Sequence, residues 1–180
     1  MSSSIGIYAS QISGHLSTNN FSSIQTVTVG SGVVSTVTFS SIPSTYTHLQ
    51  IRGIARDAGG NNNGYIQFNG DTGSNYSYHY LVGNGSSASA GGAASATNSL
   101  VMQYNNGSNM FGATILDILD YANTNKNKTV RSLNGWDQNG SGSIFMWSGL
   151  WMNTSAISSI TLTEAGNFAQ YSSFALYGVR

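Results

Sequence analysis

The stretch from Phe111 to Trp136, FGATILDILDYANTNKNKTVRSLNGW, most constrains how this chain folds. Two apolar runs flank one polar loop. The first, to Leu119, carries Ile115, Leu116, Ile118 and Leu119; the second alternates Val130, Ser132 and Asn134 against Arg131 and Leu133. Between them lie Tyr121 to Lys128, where Asn and Lys suit a solvated turn and Asn tolerates left-handed backbone angles. This pattern predicts a hairpin at the centre of an antiparallel sheet. Asp117, Asp120, Lys126, Lys128 and Arg131 concentrate charge here. Opposite charges on paired strands fix register at a few tenths of a kcal/mol, up to about 1.

The flanking sequence reads as further strands. Ile24 to Val29 and Val33 to Phe39 are rich in β-branched residues and separated by Gly30-Ser-Gly32, which predicts a hairpin. His48 to Ile54 alternates, with Leu49 and Ile51 on one face. Tyr76, Tyr78, Tyr80 and Val82 line one face of another strand, opposite Ser77, His79 and Leu81. Between Ser143 and Met152, Ile144, Met146, Leu150 and Met152 share one face and Phe145, Trp147 and Trp151 the other. Both faces being apolar, this strand should be covered on both sides, the second cover being a neighbouring subunit. Gly83 to Ser99 has no packing residues and reads as an exposed connection, or as a segment lying close against another backbone.

About ten short strands with Gly/Asn turns, and no capped helical period, predict an all-β antiparallel sandwich, jelly-roll-like in topology. The cysteine and tryptophan pattern of an immunoglobulin domain is absent. At 180 residues the chain fits one sandwich domain, residues 22–180, preceded by an extended N-terminal arm, residues 1–21. The arm has no charge and scattered apolar anchors, Ile5, Ile7, Tyr8, Ile12 and Leu16. It reads either as an arm on a neighbouring subunit or partner, or as an ordinary first strand or a frayed terminus.

Composition excludes several functions. Only 7% of residues are charged and the formal net charge is zero, so phosphate-dominated nucleic-acid binding is not expected. No apolar run has transmembrane length, and the first residues lack the basic and apolar regions of a secretion signal, so no membrane partner is expected. With no cysteine there is neither disulfide nor thiolate metal site. The Asn-x-Ser/Thr triplets, such as Asn75-Tyr-Ser77, then read as accidents of composition.

Catalytic signals are equally sparse. His15, His48 and His79 are isolated, with no zinc spacing. Asp117 and Asp120 lie three apart in a strand and so point to opposite faces, which suits salt pairing better than a shared acid/base site. Glu164 is the one glutamate, so a glycosidase dyad would need an aspartate from elsewhere. No GxSxG or phosphate-binding fingerprint occurs. Asn69 to Asn75 supplies oxygen ligands but lacks the EF-hand order, and reads as a turn. Trp136 is the best loop aromatic for stacking on a sugar. No catalytic residue, cofactor or metal is expected.

Four segments resemble a family of small virion structural proteins of tailed bacteriophages, especially those of marine and cyanobacterial hosts. They are Phe39 to Gly53, Asn69 to Tyr76 with His79, Asp117 to Thr129, and Ser173 to Arg180. They are strand-and-turn motifs, so the resemblance implies a location in the virion, after synthesis in the host cytoplasm, and carries over no functional residue. The expectation is a non-enzymatic capsid decoration or cement protein that binds the head shell. Its partners would be the major capsid protein or other virion proteins, and it would form a homo-oligomer, a trimer. The anchors of the arm and the strand bearing Phe145, Trp147 and Trp151 would make the interfaces. The alternative is a tail-fibre or receptor-binding module contacting host surface glycans; a polysaccharide hydrolase is the weakest option.

Overall fold

The mid-chain hairpin lies at the middle of the larger of two antiparallel sheets. The computed structural model describes residues 20–60 and 62–180; the anchors Ile5, Ile7, Tyr8, Ile12 and Leu16, together with His15, lie outside the described residues. The strands in chain order are β1 (Phe21–Thr28), β2 (Val33–Phe39), β3 (His48–Ala55), β4 (Asn63–Phe68), β5 (Tyr76–Gly83) and β6 (Ala88–Ala96). There follow β7 (Ser99–Gln103), β8 (Gly112–Leu119), β9 (Lys128–Gln138), β10 (Ser141–Trp151), β11 (Ile160–Ala169) and β12 (Ser173–Val179). The eight-stranded sheet runs β1-β12-β3-β8-β9-β10-β5-β6, and the four-stranded sheet β2-β11-β4-β7.

This order is a jelly roll with two insertions. The segments β1-β12-β3-β8 and β2-β11-β4-β7 form two four-stranded layers, and the chain crosses between them at almost every connection. The hairpin β5–β6 is inserted between β4 and β7, and the pair β9–β10 between β8 and β11. Both insertions add to the same edge, so the larger sheet extends past the smaller one. β7, at the border of the smaller sheet, packs on β9, β10 and β5.

The local chemistry explains the elements. β8 and β9 pair with Asp117 opposite Arg131 and Leu119 opposite Thr129. The β9–β10 turn is Asn139-Gly140, both with positive φ (54° and 100°), the two-residue arrangement that matches the twist of the flanking strands. The core between the layers is apolar: Phe39, Leu49, Ile51, Ile66, Ile118 and Leu176 are fully buried. Phe68, Tyr76 and Trp151 stack at one end of it, with the Phe68 and Trp151 ring centroids 5.4 Å apart.

Three sequence expectations are corrected. β1 and β2 are not a hairpin: β1 pairs with β12 and β2 with β11, in different sheets. The Gly30-Ser-Gly32 loop is a corner between layers, and it pairs with the second such corner through Val29 N–H to Ser172 O (2.8 Å) and Tyr171 N–H to Val29 O (3.0 Å). The small-residue segment is not a free connection, because Ala88–Ala96 is an edge strand paired with β5. Strand pairing needs only backbone groups, so a side-chain pattern does not reveal it. Lys128 does not join the carboxylates but is buried, as described below.

Candidate docking face and aromatic groove

The two faces of the extended sheet differ in chemistry because successive residues of a strand point to opposite sides. On the outer face, Ile115 of β8 lies opposite Leu133 of β9, Leu133 opposite Met146 of β10, and Met146 opposite Leu81 of β5. All four are about half exposed. A second row, Ile54, Ala113, Gly135, Ile144 and Gly83, runs beside it, with Ile144 59% exposed. Adjacent strands lie about 4.8 Å apart, so the five strands β3 to β5 carry these rows across about 20 Å. Large exposed apolar residues scattered singly need no explanation, but contiguous ones mark an interaction surface.

A polar row borders the apolar ones. Gln50, Asp117, Arg131, Ser148 and His79 are successive cross-strand partners. Gln50 Nε2 donates to Asp117 Oδ1 (2.8 Å), Arg131 Nη2 lies 3.5 Å from Asp117 Oδ2, and Arg52 Nε donates to Gln50 Oε1 (2.8 Å). Arg52 itself lies over the Phe21 and Tyr177 rings. Asp117 and Arg131 pair within this row, while Arg52, opposite Ile115, ends the first apolar row and Asp137 follows Gly135 along the same face of β9.

The inner face differs. Phe145 and Trp147 of β10, with Leu100, form a second cluster joined by Tyr65, Tyr78, Tyr80, Val82 and Trp136. Ring centroids are 4.8 Å apart for Tyr80 and Trp147 and 5.4 Å for Phe145 and Trp147. This cluster borders a groove of ≈ 580 Å³ between β7 and β6. Burial raises the Tyr78 hydroxyl above its usual range, so it stays a neutral donor.

The interface residues expected on β10 therefore face inward. Trp151 belongs to the core at 1% exposure, and Phe145 and Trp147, at 5% and 3%, are covered within this chain. The open apolar side of β10 is the opposite one, Ile144 and Met146. Periodicity separates the two faces of this strand but, both being apolar, does not say which is inside.

The other singled-out residues have local partners. His48 Nδ1 accepts the Asp120 backbone N–H (3.0 Å), and Asp120 also pairs with Lys126, which holds its carboxyl below the usual range. Asp71 accepts from Trp151 Nε1, Asn75 Nδ2 and Gly73 N–H, so its oxygens are committed to the fold of its loop. Trp136 lies in β9, half-buried, and its indole N–H is buried without a partner among the described residues. Among the described residues no three His, Asp or Glu side chains cluster as metal ligands.

Sequence reasoning named Glu164 but missed its burial, and missed Asp57 altogether. Asp57 and Glu164 are both buried, at 0% and 1% exposure, and too enclosed for a substrate to reach. Asp57 accepts the Gly59 and Gly60 N–H groups, whereas both Glu164 oxygens lack a partner among the described residues. Burial first, and the Asp57 charge second, push the Glu164 carboxyl up to about 9. Lys128 Nζ donates to the carbonyls of Asn123 (2.6 Å), Lys126 (2.8 Å) and Thr154 (2.9 Å), and burial lowers its pKa. No protein-family model, curated protein or solved structure matches the chain.

Proposed function

We propose that this chain is a non-enzymatic structural protein of a phage virion, a decoration protein that docks on the head shell and stabilises it. The carrying observation is the outer face: two adjacent apolar rows, centred on Ile115, Leu133, Met146 and Leu81, with the charged residues Asp117, Arg131, Arg52 and Asp137 around them. A surface of that kind binds by burying apolar area against a protein partner. The resemblance of the strand-and-turn segments to tailed-phage virion proteins supplies the partner, the major capsid protein. Binding to the assembled shell and not to its dissociated subunits stabilises the shell by linkage. Zero net charge lessens the repulsion between copies packed side by side, which suits a trimer repeated over a surface.

Electron microscopy of intact particles labelled with an antibody to this chain tests the proposal. Label spread over the head supports it; label confined to the tail, or absent, overturns it. Adding purified protein to particles that lack it tests the face. Met146→Glu should reduce occupancy strongly while the circular dichroism spectrum stays unchanged, and full occupancy by that variant would exclude this face as the contact.

A further inference from the structure

The inserted hairpins leave part of the inner aromatic face, on the β5 side, only half-covered. Along β10 the inward side chains change surroundings: Trp151 is sealed in the core, whereas Trp147 and Phe145 border the groove beyond β7. The same happens along β5, where Tyr76 is core and Tyr78, Tyr80 and Val82 border the groove. Its ≈ 580 Å³ lies within the size range of small-ligand sites.

The far wall is β6, and its odd composition now has a physical consequence. Across Ala88–Ala96 no side chain is larger than serine. At Gly91 a Cβ would sit 2.7 Å from the Tyr80 hydroxyl, so glycine lets that ring lie against the strand. A wall of ordinary strand formers such as Val, Ile or Tyr would fill the space. Small residues on β6 leave Tyr78 and Tyr80 half-buried, while Phe145 and Trp147 behind them are covered.

The lining chemistry selects a ligand class. No groove residue carries a formal charge. Aromatic rings stand beside the amides of Asn63, Asn84 and Gln103 and the hydroxyl of Ser89. The Trp147 indole N–H has no partner among the described residues. Aromatic faces pack on the C–H faces of a pyranose ring, while amides and hydroxyls pair with its hydroxyl groups. Phosphorylated, sulfated or uronate chains would find no cation there to offset the loss of their hydration.

We infer that this groove is a binding site for a neutral oligosaccharide, with the half-buried Tyr80 ring, backed by the covered Trp147 indole, as the stacking surface and the amide rim as the hydroxyl-reading edge. The site is independent of the docking proposal. Tyr80 and Trp147 point inward where their neighbours Leu81 and Met146 point outward, so a copy docked through the outer face keeps the groove on the side away from the shell.

Titration of the full chain with maltohexaose, cellohexaose, mannohexaose and xylohexaose tests this, read by tryptophan fluorescence and calorimetry. At least one should bind at millimolar concentration or below. Tyr80→Ala should weaken that binding about tenfold, as expected for loss of one stacking contact. Ser89→Trp, on the exposed small-residue wall, should abolish it with the melting temperature unchanged, and decides the matter alone should Tyr80→Ala not fold. Heparin should not compete. The inference is overturned by absence of binding to all these sugars, by binding that survives Ser89→Trp, or by equal binding of heparin.

Discussion

Trp151 donates its indole N–H to Asp71 Oδ2 at 2.7 Å, tying the β4–β5 loop to the end of β10. Asn75 Nδ2 and the Gly73 N–H donate to the same carboxylate, and Tyr76 donates its hydroxyl to the Asp71 carbonyl. These bonds, the Trp151 indole first, hold the Asp71 carboxyl below its usual value of 3.8. A carboxylate with a depressed folded-state pKa stabilises above its unfolded value, and that stability is lost as pH falls through the folded one. Asp71→Ala should therefore cost about 1–2 kcal/mol at pH 7, the low end for charged hydrogen bonds because the group is partly solvated. The gap between variant and wild type in denaturant melts should close below pH 3.8; a gap independent of pH would refute the charge-based account.

Lys128 closes the β8–β9 loop from within. Its ammonium donates to three carbonyls, two from its own loop and one from Thr154, and among the described residues meets no carboxylate. Lys128→Met keeps the stem but strands those carbonyls. We expect a loss of about 3 kcal/mol in urea-melt stability, with faster amide exchange over residues 122–127. A change under about 0.5 kcal/mol, the scale of an unremarkable surface substitution, would show that water serves the carbonyls equally well.

Asn134 and Ser132 show what the sequence conceals. Their alternation with Arg131 and Leu133 predicts the faces of β9 correctly, yet it is these polar residues that are buried. The cause is β7 passing over them: Ser132 donates to Val101 O, and Asn134 accepts the Gln103 N–H (2.9 Å) while donating to Thr114 Oγ1 (2.8 Å). The sandwich itself was legible because period-two alternation and Gly/Asn turns are local signals, as at Asn139-Gly140. Sheet membership was not: Gly30-Ser-Gly32 has hairpin length, and only the pairing of β1 with β12 and of β2 with β11 makes it a corner. Nor was β6, whose pairing with β5 uses backbone alone. The groove follows from that non-local placement, so the tyrosine stripe of β5 was visible without its purpose.

Asn134→Ala tests the side-chain tie between the layers. It leaves the Gln103 N–H and the Ala113 carbonyl each short of one partner. The expected cost is about 2–3 kcal/mol, and β7 amides should exchange faster than those of β8. Uniform loss of protection across both sheets would instead indicate that β7 does not open separately.

Glu164 sets the pH dependence on the alkaline side. Buried with neither oxygen paired among the described residues, its carboxyl is pushed up to about 9 from 4.5. The folded chain thus keeps a proton that the unfolded chain releases. The stability associated with this proton is complete below 4.5 and declines as pH rises, until the folded pKa of about 9 is passed. For one proton the slope is about 1.4 kcal/mol per pH unit. Glu164→Gln removes the titration while keeping the shape, so its unfolding free energy from urea melts should be flat over the window where wild type declines. The variant should be the more stable protein at pH 8 to about 9, on the order of several kcal/mol by the same slope. Parallel curves for the two proteins would mean that another group carries the slope.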